Sequence, residues 1–289
     1  MKWRRPRKRS GDIIDRRGRS GGVGMPAAVG LPGLVLVGVV FLVSRLLGGD
    51  TNFQIDDVFG NMEGGPPAEG PPPTADPDAR LVDFMSFVLD DVQNFWEEAF
   101  RGSGKTYRRA ELVLFDSSTS SQCGGAQSQY GPHYCPPDER VYIDLDFFKE
   151  LRNRFDAPGD FAQAYVLAHE IGHHVQNVLG INADVTKEQR NDPDRANELS
   201  VMLELQADCL TGVWAHSTYK REILSSGDLQ EGLDAAAAVG DDRIQEQSGG
   251  RVNPETWTHG SSEQRMRWFT NGFDSGDPER CDTFSADEL

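Results

Sequence analysis

Between residues 81 and 96, Leu81, Phe84, Met85, Val88, Leu89, Val92, Phe95 and Trp96 return every three or four positions. That spacing puts them on one side of a helix and predicts an amphipathic helix against a core, ended by Gly102 to Gly104. Residues 110–115 and 140–145 read instead as strands, the second with Val141, Ile143 and Leu145 on one side. The stretch between them is polar, rich in Ser, Thr and Gly. Residues 147–155 predict a short helix. Two long helices follow, one over about 160–179 that stops at Gly180, and one after Pro193 to about Tyr219. Residues 182–192 form a polar connection between them. A helix over 229–239 ends at Gly240, and a short one runs through 265–269. No internal repeat is present. The class is α+β, mostly helical, with a small sheet.

Ahead of residue 78 the character changes. Residues 23–44 carry no charge, and 34–43 are almost wholly aliphatic. As a helix the run would be roughly 33 Å long, close to a bilayer's hydrocarbon thickness. Nine basic residues and two acidic ones fill positions 1–21. A basic flank before an apolar run predicts a cytoplasmic head, a transmembrane helix and a domain on the outer side. The head could also touch an anionic membrane surface. A cleaved signal peptide is the rival reading; the run is long for one and no small-x-small site follows. Residues 46–78 hold Gly64-Gly65-Pro66-Pro67-type and Pro71-Pro72-Pro73 runs, which keep a chain extended and unfolded. The expected layout is a head at 1–22, an anchor at 23–45, a disordered linker at 46–78 and a folded domain at 79–289.

Net charge is −17, and the basic head makes the remainder more acidic still. Such a body repels nucleic acid, which is set aside as a partner. All four cysteines lie beyond the apolar run. An even count in an exported domain suggests two disulfides. Cys123 with Cys135 closes a Gly-rich loop, leaving Cys209 to tie a helix to Cys281 in the tail. The alternative is a second metal site from Cys123, His133 and Cys135, which lacks an obvious fourth ligand.

The chemistry concentrates at His169-Glu170-Ile171-Gly172-His173. Two histidines four apart on a helix project from one face and can share a metal, and neutral imidazole suits Zn²⁺. Glu170 is placed to act as general base on a water activated by the metal. Gly172 leaves room for a second helix to pack closely. A third ligand is needed. Glu204 and Asp208 are one turn apart on a helix that is otherwise apolar nearly all round, where buried acids are costly unless compensated. Glu204 is assigned as the third ligand. Asp208 is assigned as acceptor for the far ring nitrogen of a ligand histidine.

At this point the chain resembles the bacterial neutral zinc metallopeptidases, membrane-anchored members of the gluzincin group. The resemblance rests on residues 131–136 with 141–145, on 169–174 and on 204–209. It also includes Gly240-Asp241-Asp242, and Thr258-His259-Gly260-Ser261-Ser262 with Arg265. It implies a zincin-like catalytic domain and a zinc-dependent endopeptidase holding one zinc per chain. His169, His173 and Glu204 would be the ligands and Glu170 the base. His259 is either a catalytic group that stabilises a developing oxyanion or a structural loop histidine. Arg265 is read as an ion-pair partner for a buried acid such as Asp208. His174 is read as packing or support, and His216 as surface. Tyr142 and Asp144 are candidates for the cleft wall. A peptide or protein is the expected substrate and the membrane the expected partner of the anchor. Two other readings stay open: a non-catalytic zinc module at the envelope, which would not need Glu170, and a zinc hydrolase of a non-peptide amide.

Overall fold

The computed structural model describes residues 1–18, 76–127, 131–153, 157–247 and 252–289. Strand β1 (Ile13–Asp15) precedes helix α1 (Ala79–Gly102). Strands β2 (Glu111–Phe115), β3 (Ser118–Ser121), β4 (Gly124–Gln127), β5 (His133–Cys135) and β6 (Arg140–Asp144) follow. Then come helices α2 (Phe147–Asn153), α3 (Asp160–Leu179), α4 (Ile181–Asn191), α5 (Ala196–Lys220), α6 (Asp228–Ala238), α7 (Asp241–Gln247) and α8 (Ser262–Ser275). The main sheet has the order β1-β2-β6-β5, parallel except for the antiparallel edge strand β5; β3 and β4 form a separate hairpin.

Alternation divides the sheet's two faces. Leu112, Leu114, Val141, Ile143 and Tyr134 join the main core with α1 and α3. Val113, Phe115, Tyr142 and Cys135 form a smaller cluster on the other face. The period of two in each strand, set beside the helical period of α1, produces this layering. His174, fully buried in α3, ties helix to sheet: one ring nitrogen meets the Tyr134 hydroxyl at 2.9 Å and the other the Arg108 carbonyl at 2.5 Å.

The head changes the expected architecture. Residues 1–18 belong to the same compact unit as Asp78–Leu289. Ile13 pairs with Leu112 and Ile14 with Val113 in the parallel sheet. The Met1 ammonium lies 2.6 Å from Asp160 and 3.0 Å from Asp228. Trp3 packs on Phe84, and both Arg5 and Arg9 pair with Asp83. These arginines of the head therefore answer an acid of the domain. A chain that crosses a bilayer once cannot put residues from both sides of the crossing into one sheet. The fold expected from sequence, a domain preceded by a single transmembrane helix with the head on the opposite side, is corrected accordingly. Among the described residues no helix is long and apolar enough to cross a membrane. The segment assigned as anchor, 23–45, lies outside the described residues, as does the linker up to residue 75.

Smaller differences have local causes. Residues read as a polar connection form α4, in which Val185 alone is buried; without an apolar stripe the periodicity carries no helix signal. Helix α8 is longer than expected. It starts at a capping box formed by Ser261 and Gln264 and ends at Gly276 in the left-handed region. The two cysteine pairs stand as Cys123–Cys135 and Cys209–Cys281. With both thiols of the first pair consumed, the alternative metal site at Cys123, His133 and Cys135 is removed.

Helices α5 and α8 cross with their backbones in close approach. A Cβ on Gly272 would lie 1.9 Å from the Cys209 carbonyl oxygen, and one on Gly212 would lie 2.0 Å from that of Phe269. Each glycine admits the other helix's backbone. We expect Gly272→Ala to destabilise the protein by about 1–3 kcal/mol through overpacking, read as a lower urea midpoint. Thr270→Ala, on the exposed face of the same helix, should change it little; equal effects at both positions would refute the close-crossing argument.

Candidate metal centre

Helix α3 carries His169 and His173 on one face, their ring centroids 4.8 Å apart. Helix α5 brings Glu204 and Asp208 against them. The approach is close at Gly172, where a Cβ would stand 3.0 Å from the Ala207 carbonyl oxygen. Glu204 Oε2 lies 3.1 Å from His169 Nε2, and Oε1 lies 3.4 Å from His173 Nε2. One donor atom from each of His169, His173 and Glu204 falls within a 4.8 Å group.

The outer nitrogens are fixed as well. His169 Nδ1 is 2.8 Å from Asp208 Oδ1, and His173 Nδ1 is 2.8 Å from Gln176 Oε1. A carboxylate or amide oxygen can only accept, so each Nδ1 donates outward and each Nε2 is the nitrogen on the Glu204 side, free to offer its lone pair to a metal once its own proton is displaced. Two aligned imidazole lone pairs and a carboxylate are a donor set that fits Zn²⁺.

Asp208 is fully buried and is held by α8: Arg265 Nε donates to its Oδ2 at 2.7 Å and Nη2 to its Oδ1 at 3.0 Å. The Tyr165 hydroxyl donates to the same Oδ1. Arg265 also reaches the Val239 carbonyl after α6, at 3.2 Å. Burial by itself would raise the pKa of Asp208, but the charges of Arg265 and His169 bring it below the ordinary value. Glu204 behaves alike: burial opposes ionisation, and the charge of His173 with hydrogen bonds from both histidines holds it well down.

Glu170 follows His169 on α3 and is 7% exposed, and among the described residues its carboxylate has no hydrogen-bond or ion-pair partner. His259 sits on the loop before α8. Asp241 Oδ2 accepts from the main-chain N–H groups of Thr258 at 2.7 Å, His259 at 2.6 Å and Gly260 at 3.2 Å, while Oδ1 lies 3.1 Å from His259 Nδ1. The His259 side chain is half-exposed. Its partial burial works to lower its pKa, yet the bond to Asp241 and the nearby charge of Glu204 raise it.

The remaining sequence candidates lie elsewhere. His133 stacks on Tyr142, whose hydroxyl donates to Asp138 at 2.7 Å. Asp144 accepts from the backbone of Ser117 and Asp146. Neither Tyr142 nor Asp144 is brought to the three donors. His216, read as surface, is half-buried between α5 and α8, 2.6 Å from the Phe273 carbonyl. Three participants escaped the sequence reading as parts of the centre: Gln176, Tyr165 and Asp241. Gln176 is three residues after His173 and Tyr165 four before His169, so helical spacing marks both as facing the same way.

In the metal-free protein the His169 pKa is raised to about 9: burial lowers it, but the charge and hydrogen bond of Asp208 and the bond to Glu204 outweigh that. The stability gained from charged His169 is complete below its ordinary value near 6.5 and is lost as pH rises through about 9. A metal must displace this proton. Apparent zinc affinity should therefore climb about tenfold per pH unit from neutrality and level off near pH 9, measured by chelator competition; a flat profile above pH 7 would contradict the assignment.

No solved structure matches the chain. "Uncharacterized protein YpfJ" of Escherichia coli (strain K12) is 44% identical over 294 residues, covering 98% of this chain and 99% of the relative. "Uncharacterized protein Rv2575" of Mycobacterium tuberculosis (strain ATCC 25618 / H37Rv) is 48% identical over 211 residues, 69% of each chain. Residues 1–284 match the family described as "Putative neutral zinc metallopeptidase", and the chain belongs to that family.

Proposed function

We propose that this protein is a zinc-dependent endopeptidase with His169, His173 and Glu204 as ligands. The observation that carries the reading is a convergent His-His-Glu donor set with a largely buried residue, Glu170, whose carboxylate has no partner among the described residues, on the helix of the two histidines. Family membership supports the metal and the reaction class. Bound there, zinc would act as a Lewis acid toward a carbonyl and lower the pKa of water.

The chain's own groups supply the rest. Glu170 accepts the proton of the attacking water on a carboxylate oxygen and passes it to the leaving amine, so the C–N bond breaks with no net change in the enzyme. An inert zinc module would have no use for a free carboxylate in that place. Asp208 keeps the His169 ring in one tautomer. Asp241 accepts from His259 Nδ1 and favours the doubly protonated ring, whose Nε2–H is then the donor for negative charge developing on the substrate oxygen. The protein's two disulfides support action in an oxidising, extracytoplasmic compartment.

Glu170→Gln is the direct test. It should lower hydrolysis of a peptide library by about 10²–10⁴-fold while the protein still carries zinc, measured by product mass spectrometry beside elemental analysis. Cleavage at the wild-type rate would sink the reading.

A further inference from the structure

The two ligand histidines are held by different means, and the difference leads to a chain of side chains with no sequence motif. His169 leans on a carboxylate. His173 leans on the neutral amide of Gln176, which is fully buried. Taken alone, an amide gives no direction, because it can present oxygen or nitrogen. Here its surroundings decide. Gln176 Nε2 lies 2.8 Å from the Leu203 carbonyl oxygen and 3.1 Å from Gln206 Oε1. Gln206 is itself oriented, since its Nε2 lies 2.9 Å from the Cys281 carbonyl oxygen.

Main-chain carbonyls can only accept. The Leu203 and Cys281 carbonyls therefore turn both amide nitrogens toward themselves. Gln206 then shows its oxygen to Gln176, and Gln176 shows its oxygen to His173. Nδ1 of His173 must donate, and Nε2 is left on the Glu204 side as the nitrogen available to a metal. Proton direction thus runs unbroken from the metal ligand to the C-terminal segment. That segment is fastened twice: by the Cys209–Cys281 disulfide, and by the Thr283 hydroxyl donating to the Met202 carbonyl at 2.7 Å.

We propose that Gln176 is the positioning residue that sets the tautomer and orientation of His173 for the metal, and that Gln206, seated on the disulfide-tied C-terminal segment, holds Gln176 in turn. The proposal rests on the zinc reading above. It adds a neutral counterpart to the Asp208 arm and makes the tail part of the metal centre's support.

The test uses the full chain and reads zinc affinity by chelator competition, with no activity assay. Gln176→Leu should bind zinc about 10–100-fold more weakly, the range found when partners behind a ligand histidine are removed. Gln176→Glu should recover most of the loss, because a carboxylate oxygen still accepts from Nδ1. Gln206→Leu should weaken binding less than Gln176→Leu. In metal-free protein, nitrogen–proton correlation spectra should show His173 protonated on Nδ1 in the wild type and a tautomer mixture in Gln176→Leu. Wild-type zinc affinity in Gln176→Leu, or no recovery in Gln176→Glu, overturns the role of Gln176. Unchanged affinity in Gln206→Leu overturns the role of Gln206. A wild type that holds no zinc would fail the functional reading, while the His173 spectra would still report on Gln176 independently.

Discussion

The buried pair between Arg265 and Asp208 is the interaction on which the candidate centre depends. Neither side chain has meaningful contact with solvent: Arg265 is 3% exposed and Asp208 0%. Bringing two ions out of water is expensive, and losing one partner of such a pair costs about 3–5 kcal/mol because the other charge is stranded. The fold surrounds this pair with partners. Asp208 belongs to α5 and Arg265 to α8. Tyr165 and His169 reach it from α3, and the Val239 carbonyl takes a further guanidinium hydrogen from the end of α6. Four helices are thereby fixed around one carboxylate. The glycine crossing of α5 and α8 serves the same end, since the two backbones must meet closely for Arg265 to reach its acid.

Seen from the metal, the centre is electrically lopsided. One imidazole backs onto an anion that an arginine already partly neutralises. The other backs onto an amide with no charge to give. The first ligand has its proton held to about pH 9 in the absence of metal. A site built this way tunes its two nitrogen donors separately, while sharing a single carboxylate ligand between them.

Much of this was legible where spacing along a helix fixes geometry. Residues one turn apart must share a face, so His169 with His173 and Glu204 with Asp208 could be read as pairs. A buried acid also demands a cation, which pointed to Arg265. Pairing across distance left no such mark. Strand β1 is three residues between arginines, too short to alternate, and its partner lies far along the chain. The apolar run beside it was therefore read as separating two bodies, whereas its flanks belong to one. Gln176 and Gln206 stayed unseen for a different reason: neutral amides carry no charge to balance, and their meaning comes wholly from the carbonyls that orient them.

The position of β1 has a consequence for how the chain reaches its native form. Ile13 leaves the ribosome well before Leu112, the residue it faces in the sheet. The first strand made thus cannot dock until α1 and β2 exist, and until then Trp3, Arg5 and Arg9 of the head lack the domain partners they meet in the fold. Residues 19–75 are consequently spliced into a domain rather than hung from its end. The folded body is discontinuous in sequence, and no single proteolytic cut divides it cleanly from that insertion. A fragment beginning at Asp78 would lack an edge strand of its sheet and the cations that face Asp83.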